Sequence, residues 1–410
     1  MTLENPPLAT DRLRILYVAT KPAYPPQDGG RLLIWNTLTE LASRGHRITY
    51  VAPDLGAETA VARQHLESVC EAVHLVPARP SGILWSAAAA LATRKPMSVL
   101  RHTHRAVQQV IAELLHRQSF DVVHAEQIQA LYNLPPINGR PPVVLRAQNV
   151  ESELWRLVAI RKRHLAWIAR DEARKMAVFE ARAIRIAAAT VVLTQPDATT
   201  LGGGAGALAR RITVVRPPFP ASLPRFDEPL EGDPPVVLLT GGWLPNHDSL
   251  TWFLEEIWPG ILGANPDAHA HIFGPDQRAA GPSVSCHPAP ADSLQLFRPG
   301  TVLAVPLRIA SGIRMKILES WARRVPVVAT PTAVRGLEDV GEHGYLLAGN
   351  GAEFGAAVAR LRRSREVAQQ LIEAGRETLA DHFQPQHAAE LLEVVYREAI
   401  ARTGNRHLEN

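Results

Sequence analysis

With 410 residues, of which 46% are hydrophobic and 20% charged, the chain has the composition of a globular protein and is not a disordered one. This length favours two domains over a single core. The formal net charge is only +4, and the sequence contains no helix-turn-helix, zinc-finger or aromatic RNA-binding pattern. Nucleic acid is therefore not an expected partner.

Cysteine content and hydropathy indicate the compartment. Cys70 and Cys286 lie far apart, lack the spacing of a metal site and fit a reducing compartment. The first residues lack the apolar core of a signal peptide, and the longest apolar stretch, residues 83–93, is too short and alanine-rich to span a bilayer. We expect a cytoplasmic protein, with peripheral contact at the inner membrane face as an open alternative.

The first half of the chain alternates apolar strand patterns with helical ones. A helix at 32–43 ends before Gly45, and the longest helix is predicted from residue 151 to 186. Buried strands are predicted at residues 14–19, 47–52, 72–76, 121–125, 143–147, 190–194 and 212–215. The alternation predicts a parallel, doubly wound α/β sheet.

A proline-rich segment, residues 217–235, is expected to be a stiff linker between two domains. After it, an amphipathic helix is predicted at 249–262, among strands at 236–240, 271–273, 301–307 and 325–329. The sequence therefore predicts two Rossmann-like domains, residues 1–216 and 236–385, that face a cleft. Ligands bind at the carboxyl ends of the strands in such sheets.

Residues 301–319 contain several side chains suited to ligand binding. Their pattern predicts a buried strand, a short loop and the start of a helix. Free N–H groups at a helix start attract an anion, and so do neighbouring cations. A carboxylate further along the helix can accept hydrogen bonds from sugar hydroxyls. The loop and first turns supply such groups from Ser311, Gly312, Arg314, Lys316 and Glu319. An ordinary strand-to-helix turn with a solvated basic face is the alternative.

This stretch resembles the nucleotide-sugar signature of glycosyltransferase family 4, the retaining group 1 enzymes of the GT-B fold. The family opens this helix with a glutamate, seven residues and a second glutamate; here Ser311 stands at the first position and Glu319 at the second. A subgroup in bacterial polysaccharide synthesis carries the pattern G-x-R-x-K-x-L-E, which is matched by Gly312, Arg314, Lys316, Leu318 and Glu319.

Further segments carry the same resemblance. They are residues 13–53, 144–155, 239–249 and 325–330, with Gln148 where the family usually has the histidine of H-N-x-E. The resemblance implies two GT-B domains, with a tail helix in residues 386–410 that packs back on the first. It also implies transfer of a sugar from a nucleotide diphosphate sugar to a glycan, a lipid-linked or a small-molecule acceptor, with no cofactor.

Asp28, Gly29 and Gly30 lie between the first predicted strand and the first predicted helix. Two glycines allow close approach of a backbone, and the helix start offers free N–H groups. These features favour a ligand site over a plain turn. By resemblance, Gly29 and Gly30 contact the donor phosphates, and Asp28 lies near the acceptor.

Polar side chains also end two later strands of the first domain, where an open sheet places functional groups. His124 and Glu126 end one strand; related enzymes often carry H-x-H there, so the resemblance implies that one of the two lies near the reacting carbon. A structural histidine is the alternative. Arg146, Asn149 and Glu151 follow the next strand as acceptor contacts, although Asn149 is equally suited to cap a helix.

In the second domain, the donor set is completed by Gly242 and Asn246 after one strand and Gly274 after another. The family's usual arginine and lysine at this loop are missing, since residues 236–277 contain neither type. Arg314 and Lys316 are therefore expected to neutralise the leaving diphosphate. The chain contains no Asp-x-Asp motif and no cluster of metal ligands, so no metal is expected.

Two other functions remain open at this stage. A sugar-nucleotide epimerase or a non-catalytic sugar-nucleotide binder would share the same fold. A module that binds an anionic membrane or polymer is suggested by basic residues next to apolar ones, although a solvated helix face is the commoner explanation. These residues are Leu84, Trp85, Arg94, Lys95, Met97, Arg101 and Arg105, followed by Arg156, Arg161, Lys162, Arg163, Arg170, Arg174 and Lys175.

We expect the Glu319→Gln substitution to weaken use of the donor while the protein stays folded. A carboxylate that accepts hydroxyl hydrogen bonds forms charge-assisted contacts that an amide replaces only in part. Steady-state kinetics against donor concentration measure the effect, and unchanged kinetics in a folded variant would remove Glu319 from the site.

Overall fold

Two parallel sheets, each covered by helices, form the backbone of the computed structural model. It describes residues 12–54, 56, 59–78, 82–135, 141–204, 206–241, 244–275, 281, 283–290, 293–338, 340 and 344–408. Both sheets are present in the two halves where the alternation predicts them, so the predicted fold class is confirmed.

The first sheet has seven parallel strands in the order 3-2-1-4-5-6-7. The chain therefore switches direction between the first and fourth strands, which is where an open sheet leaves a crevice for ligands. The strands are β1 (Arg14–Val18), β2 (Arg47–Asp54), β3 (Ala72–Pro77), β4 (Val122–Glu126), β5 (Val143–Ala147), β6 (Ala189–Val192) and β7 (Ile212–Val214).

Helices cover both faces of this sheet. Short 3₁₀ turns occur at Ala130–Asn133, Arg163–Leu165 and Ala209–Arg211. The helices are α1 (Gly29–Ser43), α2 (Thr59–Glu67), α3 (Ile83–Thr93), α4 (Met97–Arg101), α5 (Arg105–Arg117), α6 (Glu151–Arg161), α7 (Ala166–Ile186) and α8 (Gln195–Gly202).

The single long helix predicted over residues 151–186 is wrong, because the structure divides it into α6 and α7. Lys162, with φ −110° and ψ 79°, leaves the helical region, and a 3₁₀ turn follows it. The two helices fold back on each other and bury Val158 and Ala169 in one cluster with Ile309 of the second domain. Local propensity favours a continuous helix, and this burial overrides it.

The second sheet has six parallel strands in the order 10-9-8-11-12-13. Two short edge strands, β10 and β13, were not predicted from the sequence. The strands are β8 (Pro235–Leu239), β9 (His269–Phe273), β10 (Val284–His287), β11 (Val302–Val305), β12 (Val327–Ala329) and β13 (Tyr345–Leu347).

The helix predicted at 249–262 is interrupted by a wider π turn at Phe253–Ile257, just before Pro259, which has no N–H to donate. A 3₁₀ turn lies at Ser293–Gln295. The helices of the second domain are α9 (Leu244–Trp252), α10 (Trp258–Ala264), α11 (Met315–Ala322), α12 (Pro331–Val334), α13 (Gly351–Arg363) and α14 (Arg365–His382).

The last helix, α15 (Pro385–Leu408), packs on the first domain although it follows the second in sequence. Leu392 and Tyr396 lie in the same apolar cluster as Tyr17 and Tyr50 of the first sheet. Glu393 adds polar contacts, including a 2.8 Å hydrogen bond to Nε2 of His46. The two domains are therefore joined by the tail as well as by the linker.

Helix α11 is anchored by Trp321, which is fully buried at its carboxyl-terminal end. The indole Nε1 donates to the carbonyl oxygen of Gly344 at 2.7 Å. On the other side, Gly375 of α14 lies so close that an added Cβ would be 2.4 Å from the indole ring. This packing fixes the position of the loop that precedes α11.

We expect Gly375→Ala to lower the free energy of unfolding by about 1–3 kcal/mol, because the methyl group overpacks the indole. Gly263→Ala in α10 is the matched control, since nothing lies within 4 Å of its added Cβ. Alanine should stabilise that helix by about 0.5–1 kcal/mol. Urea denaturation measures both, and equal effects of the two substitutions would contradict the packing argument.

Candidate functional site

A cavity of about 230 Å³ lies between the two domains, at the carboxyl ends of their strands. Nine of the predicted site residues line it: Asp28, Gly29, Gly30, Asn149, Asn246, Ser311, Arg314, Lys316 and Glu319. The first-domain wall is completed by Gln148, and apolar side chains such as Ile309 and Met315 fill the second-domain wall.

The start of α1 forms one wall of the cavity. Asp28 caps this helix, with its Oδ1 accepting from the backbone N of Arg31 at 3.0 Å, and it pairs with Lys21 at 2.7 Å. Burial opposes ionisation of Asp28, but Lys21 outweighs it and the pKa of the carboxyl falls below its ordinary value. An added Cβ on Gly29 would lie only 3.1 Å from Met315, so glycine lets α1 approach α11.

The opposite wall carries two cations at the start of α11. The guanidinium of Arg314 donates to the carbonyl oxygen of Ser311, and Lys316 Nζ donates to that of Leu239 at 2.6 Å. No carboxylate among the described residues lies within ion-pair distance of either cation. Their positive charge is thus held in place by backbone oxygens and remains available to an anion in the cavity.

Burial lowers the pKa values of both cations. The pKa of Arg314 falls to about 10, although Asp197 nearby opposes the change. The pKa of Lys316 falls to about 8, because burial is reinforced by the charge of Arg314. A bound anion would favour the charged form of both side chains and reverse these shifts.

Glu319 lies one turn further along α11 and contributes a buried carboxylate to the cavity wall. Its Oε1 accepts from Nε of Arg323 at 3.3 Å. This contact orients the carboxylate within the helix. The wall therefore presents an acceptor group beside the two cations.

The loop before α11 also contacts the first domain directly. Ser311 Oγ accepts from the backbone N of Val150 at 2.8 Å and lies 3.2 Å from Oδ1 of Asp197. Gly312 has a φ of +72°, and an added Cβ would lie 2.2 Å from the carbonyl oxygen of Gln148. Gly312 does not line the cavity; its lack of a side chain lets the two domains meet here.

Further polar contacts hold the domains together around the cavity. Asp248 pairs with Lys162 of the first domain at 2.8 Å, and Arg335 pairs with Glu153 at 2.5 Å. Small-molecule sites typically enclose about 300–1,000 Å³. The cavity of about 230 Å³ lies below this range.

Comparison with known proteins identifies the second domain. Residues 234–364 match the model of a family described as "Glycosyl transferases group 1". The second domain belongs to the group 1 glycosyltransferases. The predicted family is therefore confirmed at this level, and the match covers the loop and helix that carry Arg314, Lys316 and Glu319.

Solved structures that resemble the whole chain extend this result to the fold. Anabaena Alr3699/HepE, in complex with UDP and glucose, has a TM-score of 0.61 at 14% identity, over 93% of this chain and 98% of that one. Sucrose-phosphate synthase from Thermosynechococcus elongatus has a TM-score of 0.63 at 13% identity, over 95% and 100%. A glycosyltransferase from Rickettsia africae has a TM-score of 0.60 at 12% identity, over 95% and 99%.

The fold of the chain is thus GT-B, as predicted. No protein in a search of curated sequences matches it. Within the part of the chain that the structure describes, no helix is long and apolar enough to cross a membrane. The same residues contain no group of three or more metal-binding side chains.

One of His124 and Glu126 was predicted to lie near the reacting carbon, and the structure places both inside the first domain. Both are fully buried in β4, and neither lines the cavity. His124 Nδ1 contacts the hydroxyl of Tyr396 at 2.8 Å, and its Nε2 lies 3.2 Å from Oε2 of Glu126. Burial lowers the pKa of His124, although Glu126 opposes the shift. Contacts with α15 and the neighbouring strands therefore engage both side chains.

Arg146, predicted to contact the acceptor, forms an ion pair with Glu126. Its Nε lies 3.0 Å from Oε1 of Glu126, and the register of β4 and β5 places the two residues opposite each other. Burial opposes both charges, yet Arg146 holds the pKa of Glu126 well below its usual range. Glu126 also accepts from the hydroxyl of Tyr17 and, at 2.9 Å, from Nε2 of Gln148. Glu126 can thus influence the cavity through Gln148.

Three further predicted site residues, Glu151, Asn149 and Gly274, differ in whether they line the cavity. Burial raises the pKa of Glu151 to about 7, against hydrogen bonds from Gln129 and Asn149, and Glu151 does not line the cavity. Asn149 lines it, and with its amide turned toward the loop, Nδ2 donates to the carbonyl oxygen of Ser311 at 2.8 Å. Gly274 packs on Thr240, with an added Cβ 2.0 Å from Oγ1. Gly242 lies outside the described residues.

Two site features were missed from the sequence. Asp197 reaches from α8 of the first domain to Ser311 and the backbone N of Gly312, and Gln148 forms part of the cavity wall. Asp197 follows β6 in a T-x-x-D helix start, where Thr194 caps α8. The signal in the sequence was a polar helix start directly after a strand. Many turns that bind no ligand have the same pattern, so the signal is not specific.

We expect Glu126→Gln to lower the free energy of unfolding by about 3–5 kcal/mol, because it leaves the charge of Arg146 buried and unpaired. A double variant, Glu126→Gln with Arg146→Met, removes that charge and should recover most of the loss. Urea denaturation of the two variants and the parent measures this. A double variant no more stable than Glu126→Gln would show that the unpaired charge is not the cause.

Proposed function

We propose that this protein is a retaining glycosyltransferase that moves a sugar from a nucleotide diphosphate sugar to an acceptor hydroxyl. The observation that carries the proposal is the pair of cations, Arg314 and Lys316, which face the cavity of a GT-B fold without a carboxylate among their described contacts. Similar structures contain UDP or UDP-glucose, which favours a uridine diphosphate sugar as the first donor to test.

The cations would act on the bond between the sugar and the diphosphate. Breaking that bond leaves negative charge on the departing diphosphate, and charges held ready for it lower the barrier as an oxyanion hole does. Arg314 and Lys316 would take this role, helped by free N–H groups at the start of α11. A divalent metal is then unnecessary for the step.

Other groups in the cavity would orient the donor. Glu319 would accept hydrogen bonds from ribose or sugar hydroxyls, and Gly29 and Gly30 would let the start of α1 approach the phosphates. Gln148 has an amide whose Oε1 accepts from Gln127 Nε2 at 2.8 Å, so its orientation is fixed before the donor arrives. Retention of configuration is proposed because the α11 segment resembles that of retaining enzymes.

Domain movement would accompany each turnover. A nucleotide sugar requires more space than about 230 Å³, so the domains would separate to admit it and then close. Closure excludes water and protects the donor from hydrolysis. The contacts of Ser311 with Val150 and of Asp248 with Lys162 are those that would break on opening.

We expect Lys316→Ala and Arg314→Ala each to reduce kcat by ~10²–10³, the typical loss when one such donor is removed. Release of UDP from a uridine diphosphate sugar, measured with and without EDTA, tests this together with metal independence. EDTA should leave the activity of the parent protein nearly unchanged. Activity restored only by magnesium or manganese, or a fully active double variant, would overturn the role of the cations.

The affinity for UDP should fall as the pH rises. The ammonium form of Lys316 binds the diphosphate, and burial lowers its pKa to about 8, so the charge is present below that pH and lost above it. The Kd should therefore increase about tenfold between about pH 7 and pH 9. Calorimetry measures it, with Lys316→Arg as the control, because a guanidinium stays charged over this range. The same pH dependence in that variant would exclude Lys316 as its cause.

A further inference from the structure

The outer surface of α6, α7 and the turn between them has an unusual distribution of charge. Between residues 151 and 186, all seven exposed residues of the Lys, Arg, Asp and Glu types are arginines. The five acidic residues of this segment are buried or partly buried: Glu151, Glu153, Asp171, Glu172 and Glu180. The exposed arginines are Arg156, Arg161, Arg163, Arg170, Arg174, Arg182 and Arg185. Such a one-sided distribution attracts an anionic partner.

Large apolar side chains are exposed on the same surface. Five of the nine exposed large hydrophobic residues in the described chain lie here: Ile160, Trp167, Ile168, Val178 and Ile186. Trp167 and Val178 are each 69% exposed, and Ile160 is 65% exposed. Scattered apolar residues need no explanation, but their concentration on one helical hairpin marks an interaction surface.

The periodicity of α7 brings the two kinds of side chain together. Trp167 and Val178 are about three helical turns apart and therefore share a face. Arg174 and Arg185 lie on that face too, at intervals of 7 and 11 residues. A face of arginines interleaved with tryptophan and valine is the pattern of a helix that lies on a membrane surface.

We propose that this surface, hereafter the α6–α7 surface, docks the protein on an anionic lipid bilayer. The arginines bind lipid phosphates while their aliphatic stems, Trp167 and Val178 enter the headgroup region. A nucleic acid would meet the arginines equally well, but it offers no apolar phase for exposed isoleucine and valine. Lys162 and Lys175 are not part of the surface, because they are partly buried and paired with Asp248 and Asp171.

The α6–α7 surface adjoins the cavity between the domains. Helix α6 begins two residues after Asn149, which lines the cavity. Ile309, also in the cavity wall, packs in one cluster with Leu154, Val158 and Ala169 of this hairpin. A bilayer under the hairpin would lie beside the cleft. The identity of the acceptor rests on the proposed glycosyl transfer. Given that function, the acceptor is a lipid-linked compound with a free hydroxyl group.

Sedimentation with vesicles tests the docking. Vesicles of phosphatidylcholine with phosphatidylglycerol should bind the full-length protein, vesicles of phosphatidylcholine alone should not, and added salt should weaken the binding. The triple variant Arg161→Gln/Arg163→Gln/Arg170→Gln should lower the partition coefficient of the protein onto these vesicles about a hundredfold. Each arginine is expected to contribute a factor of about five. Trp167→Ser/Val178→Ser should lower it too, with less dependence on salt.

Matched controls lie on other exposed helices and strands. Arg360→Gln/Arg363→Gln on α13 and Leu347→Ser/Val394→Ser remove the same residue classes elsewhere and should bind vesicles as the parent does. Equal losses in the controls, or no binding of the parent to anionic vesicles, would overturn the proposal. If Trp167→Ser/Val178→Ser changed only the oligomer mass, the surface would bind a second copy of this chain, and the proposal would be overturned. Binding of the parent protein to DNA but not to anionic vesicles would overturn it as well.

A second measurement separates this proposal from the proposed function. UDP should raise the melting temperature of the parent and of all four variants alike, because the α6–α7 surface lies outside the cavity. Loss of vesicle binding with UDP binding intact would confirm that docking and donor binding are separate. A parent that binds UDP and transfers sugar only to soluble acceptors, even with vesicles present, would refute the lipid-linked acceptor while leaving the transferase function in place.

Discussion

Two cations held by backbone oxygens define the centre of this structure. Arg314 and Lys316 lie at the start of α11 and donate to the carbonyl oxygens of Ser311 and Leu239. Burying positive charge without a carboxylate is costly, and the lowered pKa values of both side chains record that cost. The two cations stay buried despite this cost because Trp321 fixes α11 at its carboxyl-terminal end. The site is thus less stable empty than it would be around an anion.

The remainder of the cavity is arranged around that charge. Glycines at the start of α1 and before α11 allow the domains to approach, since a Cβ on Gly312 would collide with the backbone of Gln148. Polar contacts such as those of Ser311 and Asp248 close the interface. Apolar contacts, such as those of Val158 and Ala169 with Ile309, also join the domains.

The two departures from the family pattern in the first domain are physically coupled. Glu126 stands where related enzymes often carry a histidine, Gln148 stands where they usually have another, and the two side chains hydrogen bond at 2.9 Å. The carboxylate of Glu126 is neutralised by Arg146 from the neighbouring strand. Gln148 is thus the uncharged member of this network that lines the cavity.

The sequence by itself predicted the two parallel sheets, most of their strands and the presence of two cations at the start of α11. These follow from local signals: apolar runs of strand length, glycines at turns, and cations at a helix start. Short edge strands such as β13 were missed because three residues carry too little pattern. Only the tertiary structure decided that residues 151–186 form two helices, because the burial of Val158 and Ala169 against Ile309 involves a residue distant in the chain. It also decided that His124, Glu126 and Arg146 contact one another and do not line the cavity. In the sequence, these three residues lie near the ends of predicted strands. They form one buried network because β4 pairs with β5 in this register and because Tyr396 packs against His124.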